Sequence, residues 1–420
     1  MVSFEWDPNR LATVVRSDIR TKIEMTKLAT DAEFNRDTAV YARQLVSVEN
    51  TRATILLPES GKQVDVTMFG SNNYLGLASD PRVIEAAQKA AETYGAGTCG
   101  SSILNGNSVL QRELELATAD LKAAEDCIIF SSGFLANLAW VAALLRPIDT
   151  VVADSEAHTS FREGTRASGS GLRKFKHNSV EDLAAALKFD SKGDLYVFVE
   201  GLYSMTGDVP DMVAISEIAA QRNSVLVIDD AHATGTIGED GRGTSGRLHN
   251  CRDTLTIGTY SKALGSNGGF ICGDRDLINC LRVLATPYIF SASLSPANMA
   301  AALAAIQIIR NDRDRIGRLQ ANAKQAHEQL GAFGDISDRA SPIVFLRIGS
   351  RFSSLRAAKE LERRGYFVNA ISFPAVGRTQ SGLRVSISSE HTAEQISALA
   401  AAVADVWGTM ETRADGGKTD

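Results

Sequence analysis

The sequence predicts an α/β protein in which a large domain with a mostly parallel sheet between helices precedes a smaller C-terminal α+β domain. Three observations predict it. The first is a series of short, β-branched apolar runs: "CIIF" (127–130), "TVVA" (150–153), "LYVFVE" (195–200), "VLVID" (225–229), "TLTIG" (254–258) and "GGFICG" (268–273). Such near-continuous runs are what strands buried on both faces look like. The second is that helical patterns separate several of them, which implies crossover helices. The third is a change of texture after about residue 300, where an alanine-rich helix, "ANMAAALAAIQIIR", leads into strand, helix, strand and strand.

Taken in order, residues 1–62 read as an N-terminal arm with one helix of mixed polarity, "RLATVVRSDIRTKIEMTKLA", suited to lying against another surface. Residues 63–300 form the large domain, in which "PRVIEAAQKAAETYG" (81–95) is a helix opened by proline and closed by glycine. Residues 301–411 form the small domain, from "PIVFLRIG" (342–349) and "SSLRAAKELERRG" (353–365) to "YFVNAI" and "GLRVSIS" (382–388). "TAEQ" from Thr392 offers a capping box for a last helix, and 412–420 is a polar tail.

Composition narrows the function. The net charge of −6 argues against nucleic acid as a main partner, because phosphate backbones want a basic face. Five scattered cysteines, with no CxxC pair, give little support to a disulfide framework or a zinc site and fit a reducing compartment. The N-terminus lacks a secretory pattern, and no apolar run approaches the roughly 18 residues of a membrane span. The expected location is the cytoplasm.

The polar residues of interest follow strand ends, where open α/β sheets bind ligands. Asp229, followed by Asp230 and His232, can hold a proton on a heteroaromatic nitrogen; taken alone, it caps the next helix equally well. Lys262, in "GTYSKALG", sits among Thr259 and Ser261; a shielded lysine can form a Schiff base, although a lone lysine is usually a surface one. "SSGFLANL" (131–138) leads small residues into a helix N-terminus, an anion site or an ordinary βα turn. It carries neither GxGxxG nor a P-loop pattern. His158 can stack on a planar ring and Ser204 can hydrogen-bond a ligand, yet each also fits a structural role. Their common order suits one ligand with a phosphate, an aromatic ring, a basic ring nitrogen and an aldehyde: pyridoxal 5′-phosphate.

Across about residues 65–405 the chain resembles the α-oxoamine synthases, fold-type-I pyridoxal phosphate enzymes. The carriers are "SNNYLGL", "GAGTCGSSILNGN", "SSGFLANL", "DSEAHTS", "EGLYSMTGD", "IDDAHATGTIGEDGRG", "GTYSKALGSNGG", "YIFSASLSP" and "GLRVSISSEHT". Within the family it looks most like bacterial serine palmitoyltransferase and autoinducer-synthase-like members. The resemblance implies a seven-stranded sheet and a homodimer with shared sites. It makes Lys262 the Schiff-base lysine, Asp229 the acid at the ring nitrogen, His232 the partner of the phenolic oxygen and His158 the ring-stacking, substrate-binding histidine. It makes Gly133 and Phe134 main-chain phosphate contacts, and Ser204 and Thr259 hydroxyl contacts. Asn72 would reach substrate in the neighbouring subunit, and Ser291 and Ser293 the partner's phosphate. Two positions depart from relatives: Ser372 and Ser102 stand where arginines often occur, which leaves Arg384 as the nearest alternative grip for a substrate carboxylate.

The implied reaction is a decarboxylative Claisen condensation of a small amino acid with an acyl thioester, on coenzyme A or an acyl carrier protein, to an α-amino ketone. Alternatives are 8-amino-7-oxononanoate synthase or 2-amino-3-ketobutyrate CoA ligase activity, an aminotransferase or a retro-aldol lyase. A non-catalytic regulatory subunit of a heterodimeric synthase is the reading outside enzymes, and such a partner lacks the Schiff-base lysine.

Overall fold

The computed structural model describes residues 17–34, 40–238, 240–244, 248, 254–334, 341–373 and 375–415. The start of the arm (1–16), Cys251 and the last tail residues (416–420) lie outside the described residues. The chain divides into two compact units, Met1–Ser71 with Asn322–Asp420, and Asn72–Ala321.

The first unit opens with helix α1 (Ile19–Phe34) and continues with strands β1 (Gln44–Glu49), β2 (Arg52–Leu57) and β3 (Lys62–Met68). The second unit begins with α2 (Pro81–Tyr94) and α3 (Val109–Leu121), then alternates: β4 (Asp126–Phe130), α4 (Gly133–Leu144), β5 (Thr150–Asp154), α5 (Thr159–Ser168), β6 (Gly171–Phe175), α6 (Val180–Ala186), β7 (Leu195–Glu200), α7 (Met212–Gln221), β8 (Val225–Asp229), β9 (Leu255–Thr259) and β10 (Gly269–Gly273). Helices α8 (Arg275–Leu284), α9 (Thr286–Ile289), α10 (Pro296–Asn311) and α11 (Arg313–Leu330) follow. The remainder is β11 (Ile343–Gly349), α12 (Arg351–Arg363), β12 (Tyr366–Phe367), β13 (Asn369–Ile371), β14 (Ser381–Ser386) and α13 (Ala393–Asp415).

In the second unit, seven strands run in the order β4-β10-β9-β8-β7-β5-β6. Only β10 opposes its neighbours; the other pairings are parallel. This is the seven-stranded, mostly parallel sheet that the resemblance implies. Strands β4, β7, β9 and β10 are buried along their whole length, which explains their unbroken apolar runs. Trp140, Phe161 and Phe198 belong to one core cluster; Val152, Val197 and Ile215 belong to another. Each such side chain contributes roughly 1.5–3 kcal/mol by leaving water. Helix α10 packs on α2 and α3 and so belongs with this unit, although its alanines suggested a domain change near residue 300.

In the first unit, β1-β2-β3-β12 form one sheet and β11-β14-β13 another. "YFVNAI" therefore breaks into two strands of different sheets. The expected cap forms at α13: Gln395 N–H donates to Thr392 Oγ1 at 3.2 Å, and Thr392 N–H to Gln395 Oε1 at 3.0 Å.

A cavity at the strand ends of the seven-stranded sheet

A cavity of about 200 Å³ opens within the second unit, beyond the carboxyl ends of its parallel strands. It brings together Gly133, Phe134, His158, Ser204, Asp229, His232, Thr259 and Lys262 from the sequence reading. It adds Asn137, Glu200 and Ser132, which that reading did not single out.

One wall is the N-terminus of α4. Ser132 caps it, its Oγ accepting from Leu135 N–H at 3.2 Å. A Cβ on Gly133 would come within 3.2 Å of Thr259 Cβ, tighter than ordinary contact, so glycine eases the close approach of the helix start to the end of β9. The early main-chain N–H groups of α4, with Ser261 opposite, make a cup suited to an anion. Thr259 Oγ1 donates to Gly268 O at 2.7 Å and accepts from Ser261 N–H at 3.2 Å. Its proton is thereby committed to the main chain, and the neighbouring Ser261 hydroxyl, 2.8 Å away, is better placed to donate.

Asp229 ends β8 and is buried. Asn137 Nδ2 donates to its Oδ2 at 2.8 Å and Ala231 N–H to its Oδ1 at 3.0 Å. The carboxylate is thus both a turn cap and an oriented acid. The adjacent Asp230 faces elsewhere, in a fully buried ion pair with Lys122 at 2.7 Å. Beyond Asp229, His232 Nδ1 lies 2.8 Å from the Tyr74 hydroxyl, which donates to Asn72 Oδ1 at 3.1 Å. This chain of contacts fixes the imidazole from behind.

His158 caps α5 through its ring: Nδ1 accepts from Ser160 N–H at 3.3 Å. That bond assigns the proton of the neutral ring to Nε2. Burial pushes the His158 pKa below the ordinary imidazole value; Asp229 opposes this, while Lys262 and Arg162 add to it. A neutral, flat ring with one N–H donor is the result near pH 7. Lys262 follows β9, half-buried on a turn closed by Gly265 N–H to Lys262 O at 2.9 Å.

A second cluster braces the loops that present these groups. His177 Nδ1 lies 2.9 Å from Asp154 Oδ1, and its Nε2 lies 3.3 Å from Asp208 Oδ2. Asp154 ends β5 just before His158, and Asp208 closes the turn after Ser204. Burial disfavours charge on His177, but Asp154 and Asp208 more than offset it and raise the pKa to about 10. The unfolded value is about 6.5. The resulting stabilisation is fully present below about pH 6.5 and is lost as pH rises through about 10. We expect the denaturant midpoint of the wild type to fall relative to His177→Gln across that window; parallel midpoints would contradict the charged assignment.

The remaining expected site residues do not line this cavity. Ser293 Oγ sits 2.7 Å from Thr98 Oγ1 and donates to Gly106 O at 2.9 Å, fastening the 98–106 loop, where Ser101 bridges Ala292. Ser102 Oγ donates to Gln111 Oε1 at 3.2 Å. Arg384 lies on β14 in the first unit, buried, its Nη1 donating to Ser386 Oγ at 2.8 Å.

Of the residues missed, Asn137 had a signal, as the one strongly polar side chain in "GFLANLAWVAAL", and Glu200 had another, as the acid ending a five-residue apolar run. Tyr74 had none, because its contact with His232 is long-range.

The family model for aminotransferase class I and II matches residues 64–403. The chain belongs to this family. Among its relatives, a serine palmitoyltransferase of Sphingobacterium spiritivorum is 38% identical over 359 residues, covering 85% of this chain and 88% of the relative. An 8-amino-7-oxononanoate synthase of Maricaulis maris is 35% identical over 408 residues, covering 96% of each. A high-resolution structure of SPT with PLP internal aldimine superposes with a TM-score of 0.84 at 30% identity, covering 93% of this chain and 98% of that one. Both named activities are those of α-oxoamine synthases, the branch of the family that the motifs resemble.

Proposed function

We propose that this chain is an α-oxoamine synthase that condenses a small amino acid with an acyl thioester, with loss of carbon dioxide, in the manner of serine palmitoyltransferase. The cofactor is pyridoxal 5′-phosphate. The observation that carries the reading is the meeting of Lys262, Asp229, His158 and an anion-binding helix start in one cavity.

The residues present fit the cofactor. A donor-lined cup at Gly133, Phe134 and Ser261, with Thr259 beside it, suits a phosphate, and Ser204 lines the same cavity. Asp229, oriented by Asn137, suits a protonated ring nitrogen, and His232 suits a phenolic oxygen. When bound, pyridoxal phosphate supplies an electron sink for the pair left on a substrate carbon when a proton or carbon dioxide departs. The Lys262 amine would hold the aldehyde and, as a free amine, would serve as the base that moves the substrate's α-proton. Asp229 would hold the proton on the ring nitrogen. His158, whose ring lines the cavity, would lie against the planar group and offer Nε2–H to a carboxylate or a thioester carbonyl oxygen.

Arg384 is the proposed grip for the substrate carboxylate, in place of the arginine that Ser372 replaces. We further propose a homodimer in which Asn72, Ser291 and Ser293 serve the neighbouring site. The supporting feature is the exposed apolar surface of Leu104, Val109 and Phe290, the last 83% exposed. Among the described residues no helix is long and apolar enough to cross a membrane, and the cytoplasm is the proposed location. A second reading, 8-amino-7-oxononanoate synthesis, is favoured by the near-full-length match to the Maricaulis maris enzyme. A purely regulatory role fits poorly with the presence of Lys262.

The test is turnover with serine, alanine or glycine and a palmitoyl or pimeloyl thioester. Release of free thiol together with carbon dioxide is expected for one amino acid above the others. Amino-group transfer without thiol release would overturn the assignment.

A further inference from the structure

Glu200 is buried in the wall of the cavity, yet the chemistry above gives it no task. It ends β7 and stands in register with Asp229 at the end of β8. Its Oε2 accepts from Ser204 N–H at 3.2 Å, and the carboxyl faces the main-chain N–H of His158. Its Oε1 is buried with no hydrogen-bond partner among the described residues. Two adjacent strand ends thus present two buried carboxyl groups, one oriented by Asn137 and Ala231 and one half-satisfied.

We propose that Glu200 is a positioning residue, a neutral carboxylic acid that ties the loops of His158 and Ser204 together and leaves Asp229 as the sole carboxylate charge of the pair. Side-by-side carboxyl groups in a dry site do not both ionise, and the one with better donors keeps the charge. The groups that face or flank Glu200 are Asp229 on β8, Lys262 after β9, His158 before α5 and Tyr203 on its own loop, and His232 lines the same cavity. Burial, then Asp229, raise its pKa; Lys262 and the two N–H groups pull the other way, and the balance lies at about 8. The consequence for the cofactor is that one negative charge, not two, sets the proton at its ring nitrogen. That consequence rests on the proposed function; the protonation of Glu200 does not.

The test is pH-dependent unfolding of the cofactor-free wild type and Glu200→Gln. An unfolded glutamate ionises near pH 4.3. Between there and about pH 8 the folded wild type holds a proton that the unfolded chain has lost, so its stability falls with rising pH. An amide at this position cannot ionise and carries no such slope: the denaturant midpoint of E200Q should gain on the wild type across this window and level off above it. Parallel midpoints would overturn the proposal. If E200Q does not fold, the wild type alone suffices: a protonated-carboxyl infrared band at pH 7 that titrates away near pH 8 supports it, and absence of that band overturns it. Failure of the chain to bind pyridoxal phosphate would refute the functional reading while leaving the unfolding result intact.

Discussion

Lys262→Ala should lose turnover by about 10³-fold or more, since it removes both the group that holds the aldehyde and the base that moves the α-proton. The visible absorbance of lysine-bound cofactor should vanish with it. The fold should survive, because the turn at this position is closed by the main-chain carbonyl of Lys262, which alanine retains. Steady-state rates, absorbance spectra and circular dichroism of the purified variant check all three. Near-normal turnover from Lys262→Ala would remove the lysine from the mechanism.

Asp229→Asn should reduce turnover by about 10²–10⁴-fold with little change in shape. The variant keeps an oxygen that can accept from Asn137 or Ala231 but loses the charge that stabilises a protonated ring nitrogen. Asp229→Ala should be as slow and also less stable, by about 1–3 kcal/mol, because Asn137 Nδ2 is left buried without its acceptor. The two variants separate charge from packing. Equal loss of stability in both would mean that Asp229 serves the fold rather than the chemistry.

The sheet was legible because its strands are buried on both faces. "LYVFVE" and "VLVID" match β7 and β8 residue for residue. β6 was not legible: "GLRKF" is exposed along four of its five residues, so an edge strand with basic side chains carries no apolar run. β1 was also not read, although Leu45, Val46 and Val48 give it strand character; they stay exposed, so no buried face marks it. In the cavity, residues directly after strand ends could be read, since the α/β fold sends such positions to one place. Residues that act through a neighbour were not read, although the lone polarity of Asn137 in its helix was a signal. Asn137 lies one helical turn into α4, Tyr74 reaches His232 only through the tertiary fold, and His177 meets Asp154 and Asp208 from a third segment. Ser293 shows the converse: a motif marks its position, while its hydroxyl is engaged within its own chain.

The most direct measurement is reduction of the cofactor-loaded protein with borohydride, followed by proteolysis and mass mapping of the pyridoxyl label. The label should be found on the peptide containing Lys262 and should be absent when an amino acid substrate is added in excess before reduction. A label fixed on any other lysine, or none at all in a protein saturated with pyridoxal phosphate, would contradict the account.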